Sequence, residues 1–248
     1  MNRRRRKSQE KPADILRTVL WAVLLALLFR SFVYQPFSIP SGSMVPTLLV
    51  GDYVFVAKFA YGFNRFSLPF WAPPIEGRLF GRLPTRGDVA VFRLPADPDQ
   101  DYIKRIVGLP GDQVQMIGGV LNINGEPVRR EPMADLVVDD GETKLAFRRF
   151  IETLPNGVAH EIMQEKDDGP LDDTSIYVVP EGCVFAMGDN REHSQDSRML
   201  TKVGYIPLEN IVGRADLRFL SIVPHEAWWK VWEWPARIRW SRVMRMVR

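Results

Sequence analysis

Hydrophobic positions along the chain fall into two regimes. From Ile15 to Val33 they are almost continuous, with charge only at Arg17 and Arg30. The charge-free part, Thr18 to Phe29, is shorter than the ~20 residues an α-helix needs to cross a bilayer. Arginine stems near helix ends snorkel to the interface, so counting from Ile15 to Tyr34 restores a span. The pattern predicts one transmembrane helix over residues 15–34. A cleaved secretory signal has the same basic start and short apolar run. No small-x-small site follows Phe29 closely, because Arg30, Phe32, Tyr34 and Phe37 come first, and this favours an uncleaved anchor.

Beyond Tyr34 the pattern changes to short β-branched and aromatic runs bounded by turn residues. Strands are predicted at 52–57, 88–93, 102–107, 120–123, 176–179 and 183–187. The Asn124-Gly125 pair closes the fourth like a hairpin arm. Residues 62–84 are rich in Phe, Trp, Pro and Gly without clear periodicity, and 130–176 read as charged and irregular. No long amphipathic helix is predicted outside the anchor. The expected fold is mainly β: an antiparallel catalytic domain (35–112 and 176–220), an inserted smaller β subdomain (113–175) and a C-terminal segment (221–248), with a basic segment (1–14) before the helix.

Charge alters this picture only at the ends. The 248 residues carry 33 Lys+Arg against 30 Asp+Glu, a modest net +3. Arg3, Arg4, Arg5, Arg6, Lys7, Lys11 and Arg17 crowd one end, however, and Arg237, Arg239, Arg242, Arg245 and Arg248 the other. Basic ends point to an anionic membrane surface or nucleic acid. With the helix present, positive-inside bias puts residues 3–7 in the cytoplasm and everything after Tyr34 on the far side. Cys183 is the only cysteine, so no intrachain disulfide is possible. No metal-ligand spacing occurs, and His160, His193 and His225 are far apart in sequence.

Three stretches carry candidate chemistry. In the first, from Pro36 to Leu48, Ser41 and Ser43 flank Gly42, and Pro36, Pro40 and Pro46 stiffen the backbone. A serine on a stiff turn with free backbone N–H groups suits a nucleophile beside an oxyanion site, although a linker leaving a membrane helix has the same composition. The second is Lys104, which alternation places on one strand face with Tyr102 and Ile106, with Arg105 opposite. A lysine acts as a base only when desolvation lowers its pKa to ~7–8. Carboxylates nearby oppose that, so Asp101, Asp189 and Asp196 must be held off or paired, with Arg105 and Arg198 the evident partners. Taken alone, a strand-edge lysine that blunts aggregation is the commoner case. The third stretch, from Met187 to Arg198, is a Gly/Asp/Asn/Ser loop in which Ser194 could hydrogen-bond a neutral amine.

Taken in order, the segments Ser41-Gly42-Ser43-Met44-Val45-Pro46-Thr47-Leu48, Gly51-Asp52, Lys58-Phe59-Ala60-Tyr61-Gly62, Arg86-Gly87-Asp88-Val89, Tyr102 to Asp112, and Gly188-Asp189-Asn190-Arg191 with Ser194, Asp196, Ser197 and Arg198 resemble the motifs of the bacterial type I signal peptidases. Several boxes in one order are far more specific than a single short motif. The resemblance implies a serine endopeptidase with Ser43 as nucleophile and Lys104 as general base, and with the Ser43 N–H and Ser41 hydroxyl as oxyanion donors. Ser194, Arg105, Asp189, Asp196 and Arg198 would support the pair. Shallow pockets for small-x-small sites would be lined by Phe37, Ile39, Pro40, Met44, Leu48, Val54, Val91, Tyr102 and Ile103. A signal peptide would add as a strand along residues 101–103, beginning at Asp101, and along 37–39. The partners implied are signal peptides of preproteins and membrane lipid, with no nucleic acid, metal or cofactor. The chain would be a monomeric, single-pass protein of the bacterial cytoplasmic membrane.

Other readings carry distinct signatures. A non-catalytic anchored β scaffold binding extended peptides would survive loss of Ser43 or Lys104, a self-cleaving serine–lysine peptidase would show autocleavage, and a histidine-based protease would need His193. Five of the seven tryptophans lie between His225 and Trp240. With the loop around Phe70-Trp71 they are expected either to rest on the bilayer interface or to close the β core.

Overall fold

The computed structural model describes residues 12–66, 77–139, 144–165, 169–224, 232 and 234–247. The apolar run forms a helix, α1 (Pro12–Phe32). Its 20 residues from Ala13 to Phe32 are exposed almost all round. At ~1.5 Å per residue they span about 30 Å, the thickness of a bilayer's hydrocarbon core. The helix stops two residues short of the expected Tyr34. Tyr34 already pairs with Ala57 in a sheet, and the Lys58 N–H takes the Val33 carbonyl at 3.1 Å.

The rest is antiparallel β, as the alternation predicts. In chain order the strands are β1 (Tyr34–Ser38), β2 (Asp52–Ala57), β3 (Val89–Leu94), β4 (Asp97–Gly108), β5 (Gln113–Ile117), β6 (Val120–Ile123), β7 (Glu126–Pro127) and β8 (Arg129–Pro132). Then come β9 (Leu136–Asp139), β10 (Lys144–Thr153), β11 (Ala159–Gln164), β12 (Tyr177–Val178), β13 (Cys183–Met187), β14 (Ile206–Pro207), β15 (Ile211–Ser221) and β16 (Arg245–Met246). The main sheet runs β1-β2-β15-β3-β4-β13-β14, with β16 also on β15. Alternation along β3 drives its two faces into different cores. Val89 and Val91 join Val54, Val56 and Val212, whereas Ala90 and Phe92 join Ile106, Val184 and Ala186. Each buried Val, Ile or Phe among these contributes roughly 1.5–3 kcal/mol relative to exposure.

Two differences from the sequence pattern matter. β15, central to the main sheet, is not among the expected strands. Its register shifts between Ala215 and Leu217 and again between Arg218 and Leu220, so the period-2 signal loses phase twice. The 130–176 stretch, expected to be irregular, holds a β11-β10-β8 sheet with β9 also on β10. Charges on consecutive residues of β10, such as Arg148 and Arg149, hide its alternation. A separate β12-β5-β6-β7 sheet shares its core with the main sheet, where Val114, Met116, Leu121 and Ile123 pack with Val107, Phe185 and Met187.

Candidate active site

The loop between β1 and β2 carries Ser43. It is closed at its base, where the Ile39 N–H donates to the Asp52 carbonyl at 2.9 Å and the Gly51 N–H to the Ile39 carbonyl at 3.0 Å. Met44 and Leu48 are fully buried, and the Leu48 N–H donates to the Met44 carbonyl at 2.8 Å. The chain immediately after Ser43 is therefore pinned in the core.

Lys104 reaches this loop from β4, where it pairs with Ala90 on β3. Its Nζ donates to Ser43 Oγ at 2.6 Å. Lys104 is 4% exposed and Ser43 7%. Burial pushes the Lys104 ammonium down to about 8, helped by Arg198 and opposed by Asp196 and Asp189. Each of these carboxylates has its own cation. Arg105, on the opposite face of β4, donates to Asp189 through two bonds of 2.8 and 2.7 Å, and the Thr47 hydroxyl donates to it at 2.5 Å. Arg198 holds Asp196 at 2.9 Å. Burial pushes both carboxyls up, but the paired guanidinium groups overcome it and hold them below the usual range. Asp101 pairs instead with Arg93, at 3.3 Å.

The surrounding donors converge on the same place. Ser41 Oγ lies 3.4 Å from Ser43 Oγ. Ser194 is buried, and its hydroxyl lies beside Asp196, whose carboxyl it helps hold below the usual range. The Asn190 N–H donates to the Ser43 carbonyl at 3.1 Å, and Asn190 Nδ2 to the Gly42 carbonyl at 3.2 Å. Gly188 permits this approach, because a Cβ there would come within 2.5 Å of the Ser43 carbonyl and collide with Ser194.

A cavity of about 300 Å³ is lined by residues 36–40 of the β1 edge and by Val91, Asp101, Tyr102 and Ile103. Phe37, Ile39, Pro40, Val91, Asp101, Tyr102 and Ile103 of the expected substrate-binding set are among these residues. Met44, Leu48 and Val54 are not. They are fully buried, packed in one cluster with Ile39 and Val91. His193, the histidine that a conventional triad would use, has a side chain 57% exposed and paired with Glu165 at 2.9 Å. Residues that the sequence did not single out surround Asp189, Thr47 half-buried and the others buried. They are Thr47, Glu152, His160 and Arg191. Thr47 and Arg191 stand inside the motif segments, where proximity was a usable signal. Glu152 and His160 carried none until β10–β11 register set them opposite one another. Among the described residues no group of three or more His, Cys, Asp or Glu side chains could hold a metal ion.

A buried serine hydroxyl facing a lysine of depressed pKa, on an antiparallel β body, is an arrangement that suits the class of serine hydrolases. Comparison with known proteins is more particular. The family described as "Signal peptidase, peptidase S26" matches residues 13–220. A signal peptidase I of Rickettsia typhi is 34% identical over 99% of this chain and 97% of its own length. One of Rickettsia felis is 36% identical over 91% and 89%. A crystal structure of a signal peptidase I from Enterococcus faecalis overlaps 54% of this chain and 97% of that chain, with 25% identity and a TM-score of 0.31. The chain belongs to the signal peptidase family, peptidase S26. It is accordingly a serine endopeptidase, of a family whose activity is the removal of signal peptides.

Proposed function

We propose that the protein removes signal peptides after small-x-small motifs, with Ser43 as nucleophile and Lys104 as general base. The observation that carries this reading is the 2.6 Å contact between Lys104 Nζ and Ser43 Oγ, both buried. Neutral Lys104 takes the Ser43 proton as Oγ attacks the scissile carbonyl. The negative charge that develops on the carbonyl oxygen is met by the Ser43 N–H and the Ser41 hydroxyl. The Lys104 ammonium then returns its proton to the leaving amine as the C–N bond breaks, leaving an acyl-enzyme on Ser43. A water gives its proton to Lys104, its oxygen attacks the ester, and Ser43 leaves with that proton. Ser194 orients the amine, and the Arg105–Asp189 and Arg198–Asp196 pairs keep each anion from capturing it.

The signal peptide lies extended between the β1 edge at 37–39 and residues 101–103, and its small side chains enter the 300 Å³ cavity. Residues 35–112 and 176–220 form the peptidase domain and 113–175 its insertion. Helix α1 anchors this monomer in the bacterial cytoplasmic membrane, with residues 1–14 in the cytoplasm and the peptidase domain outside. Exposed Trp234 and Trp240 suit a membrane-facing tail. The same expectation for Trp228, Trp229 and Phe70-Trp71 lies outside the described residues. Cleavage of a purified preprotein by wild type, Ser43→Ala and Lys104→Ala across pH tests the mechanism. Full activity in either variant would falsify it.

A further inference from the structure

The β8–β11 sheet does more than sit beside the catalytic loop. The end of β11 lies alongside residues 189–191 as a short parallel bridge, Met163 to Asn190. The Met163 N–H donates to the Asp189 carbonyl at 2.8 Å, and the Arg191 N–H to the Met163 carbonyl at 2.9 Å. The middle residue of that segment, Asn190, donates to the Ser43 carbonyl. A backbone relay therefore runs from the insertion through one segment to the nucleophile.

Two side chains of the same sheet follow the same route. Glu152 on β10 is 1% exposed and forms an ion pair with Arg191, which is equally buried. His160, its register partner on β11, is also buried, with Nε2 3.4 Å from Glu152 and 3.9 Å from Asp189. It fills the space between the two carboxylates. Neither acid faces water, and each is matched by its own arginine, Arg191 for Glu152 and Arg105 for Asp189. Holding a sheet together does not require this, because β8, β9, β10 and β11 already share continuous ladders. A buried ion pair is poor glue compared with apolar packing, and its better-attested use is to fix one geometry.

We infer that Glu152 is a positioning residue for the peptidase site. It holds Arg191, and through it the 189–191 segment, so that Asp189 stays on Arg105 and Asn190 stays on Ser43. The insertion is thereby part of the catalytic apparatus. Removing the Glu152 charge leaves Arg191 as a buried cation with Asp189 and Asp196 as the acids near it, and it draws Asp189 away from Arg105.

This rests on the serine–lysine reading above, and the test separates the two. Full-length protein in detergent is assayed on a purified preprotein as wild type, Glu152→Gln, Glu152→Asp and Ser43→Ala. Steady-state kcat and KM, the pH dependence of kcat and thermal melting are measured for each. Glu152→Gln is expected to lose roughly ten- to a hundredfold in kcat at unchanged KM, the size of effect a small misplacement produces. The acid limb of its kcat profile, which reports Lys104 facing Asp189, Asp196 and Arg198, moves to lower pH because one negative charge has gone. Glu152→Asp regains most of the loss. A wild-type kcat and acid limb in Glu152→Gln overturn the proposal. So does a loss that tracks the unfolded fraction, with an unmoved limb and no recovery in Glu152→Asp. Activity in Ser43→Ala sinks the dyad reading, whereas an inactive Ser43→Ala beside an unaffected Glu152→Gln sinks only this one.

Discussion

Lys104 and Lys58 occupy two regions of one molecule and make an instructive pair. Each is 4% exposed, and each is pushed down to about 8. The causes differ. Lys104 is lowered by burial against two nearby carboxylates, which raise it. Lys58 is lowered by burial and then by the positive charges of Arg30 and Arg93, with Asp101 opposing. Lys104 donates to a serine held on a pinned loop, whereas Lys58 sits on the short turn that follows β2. A depressed pKa supplies a neutral amine at moderate pH, but it supplies a base only where a proton to be removed lies within bonding distance. Perturbed titration marks a site worth inspecting, and geometry decides what the site does.

The contrast breaks most directly by deletion. Ser43→Ala and Lys104→Ala are each expected to reduce kcat by at least about 10⁴-fold, as removal of a nucleophile or its base does elsewhere. Preprotein cleavage under saturating substrate checks this. Next in size is the cost of burying Lys104. Its folded pKa, about 8, lies below the 10.5 of an ordinary lysine. Between these values the unfolded chain holds the extra proton, so stability rises with pH through that window, by up to about 3 kcal/mol. Denaturant unfolding of the protein in detergent should show the rise in wild type and a smaller one in Lys104→Met. In activity the same group acts with the same sign: below pH 8 kcat should fall about tenfold per unit as Lys104 takes up its proton.

Ser41→Ala is expected to lower kcat by about 10²-fold with little change in KM, the usual effect of losing one oxyanion donor. An unchanged kcat would assign the oxyanion to the Ser43 N–H without it. Smallest of all is Lys58→Ala, which should leave kcat within about threefold of wild type, because surroundings that only lower a pKa add nothing to the transition state. A Lys58→Ala enzyme as inactive as Lys104→Ala would erase the comparison.

Much of this site was legible because it is written in short segments. The Ser41–Leu48 box, the strand carrying Lys104 and Arg105, and the Gly188–Arg198 loop are each local and carry unusual residues at close spacing. The partner arginines of Asp189 and Asp196 could be anticipated from charge alone. Asp101 could not, since its pairing with Arg93 follows from β3–β4 register. Met44, Leu48 and Val54 share the apolar chemistry of the cavity wall, and nothing in a one-dimensional pattern separates a lining side chain from one a layer deeper. β15 escaped notice because its bulges break the alternation by which a strand is recognised.

The sequence by itself determined the apolar helix, the alternating strands that make the body β, and the order of motifs that places the chain in its family. These depend on neighbours within a few residues, where periodicity and turn chemistry act directly. Only the tertiary structure decided that Lys104 meets Ser43 across 61 positions of sequence and that Glu152 and His160 stand behind Asp189. Those outcomes depend on strand register and on which charges are buried together, and both are properties of the packed sheet rather than of any one stretch.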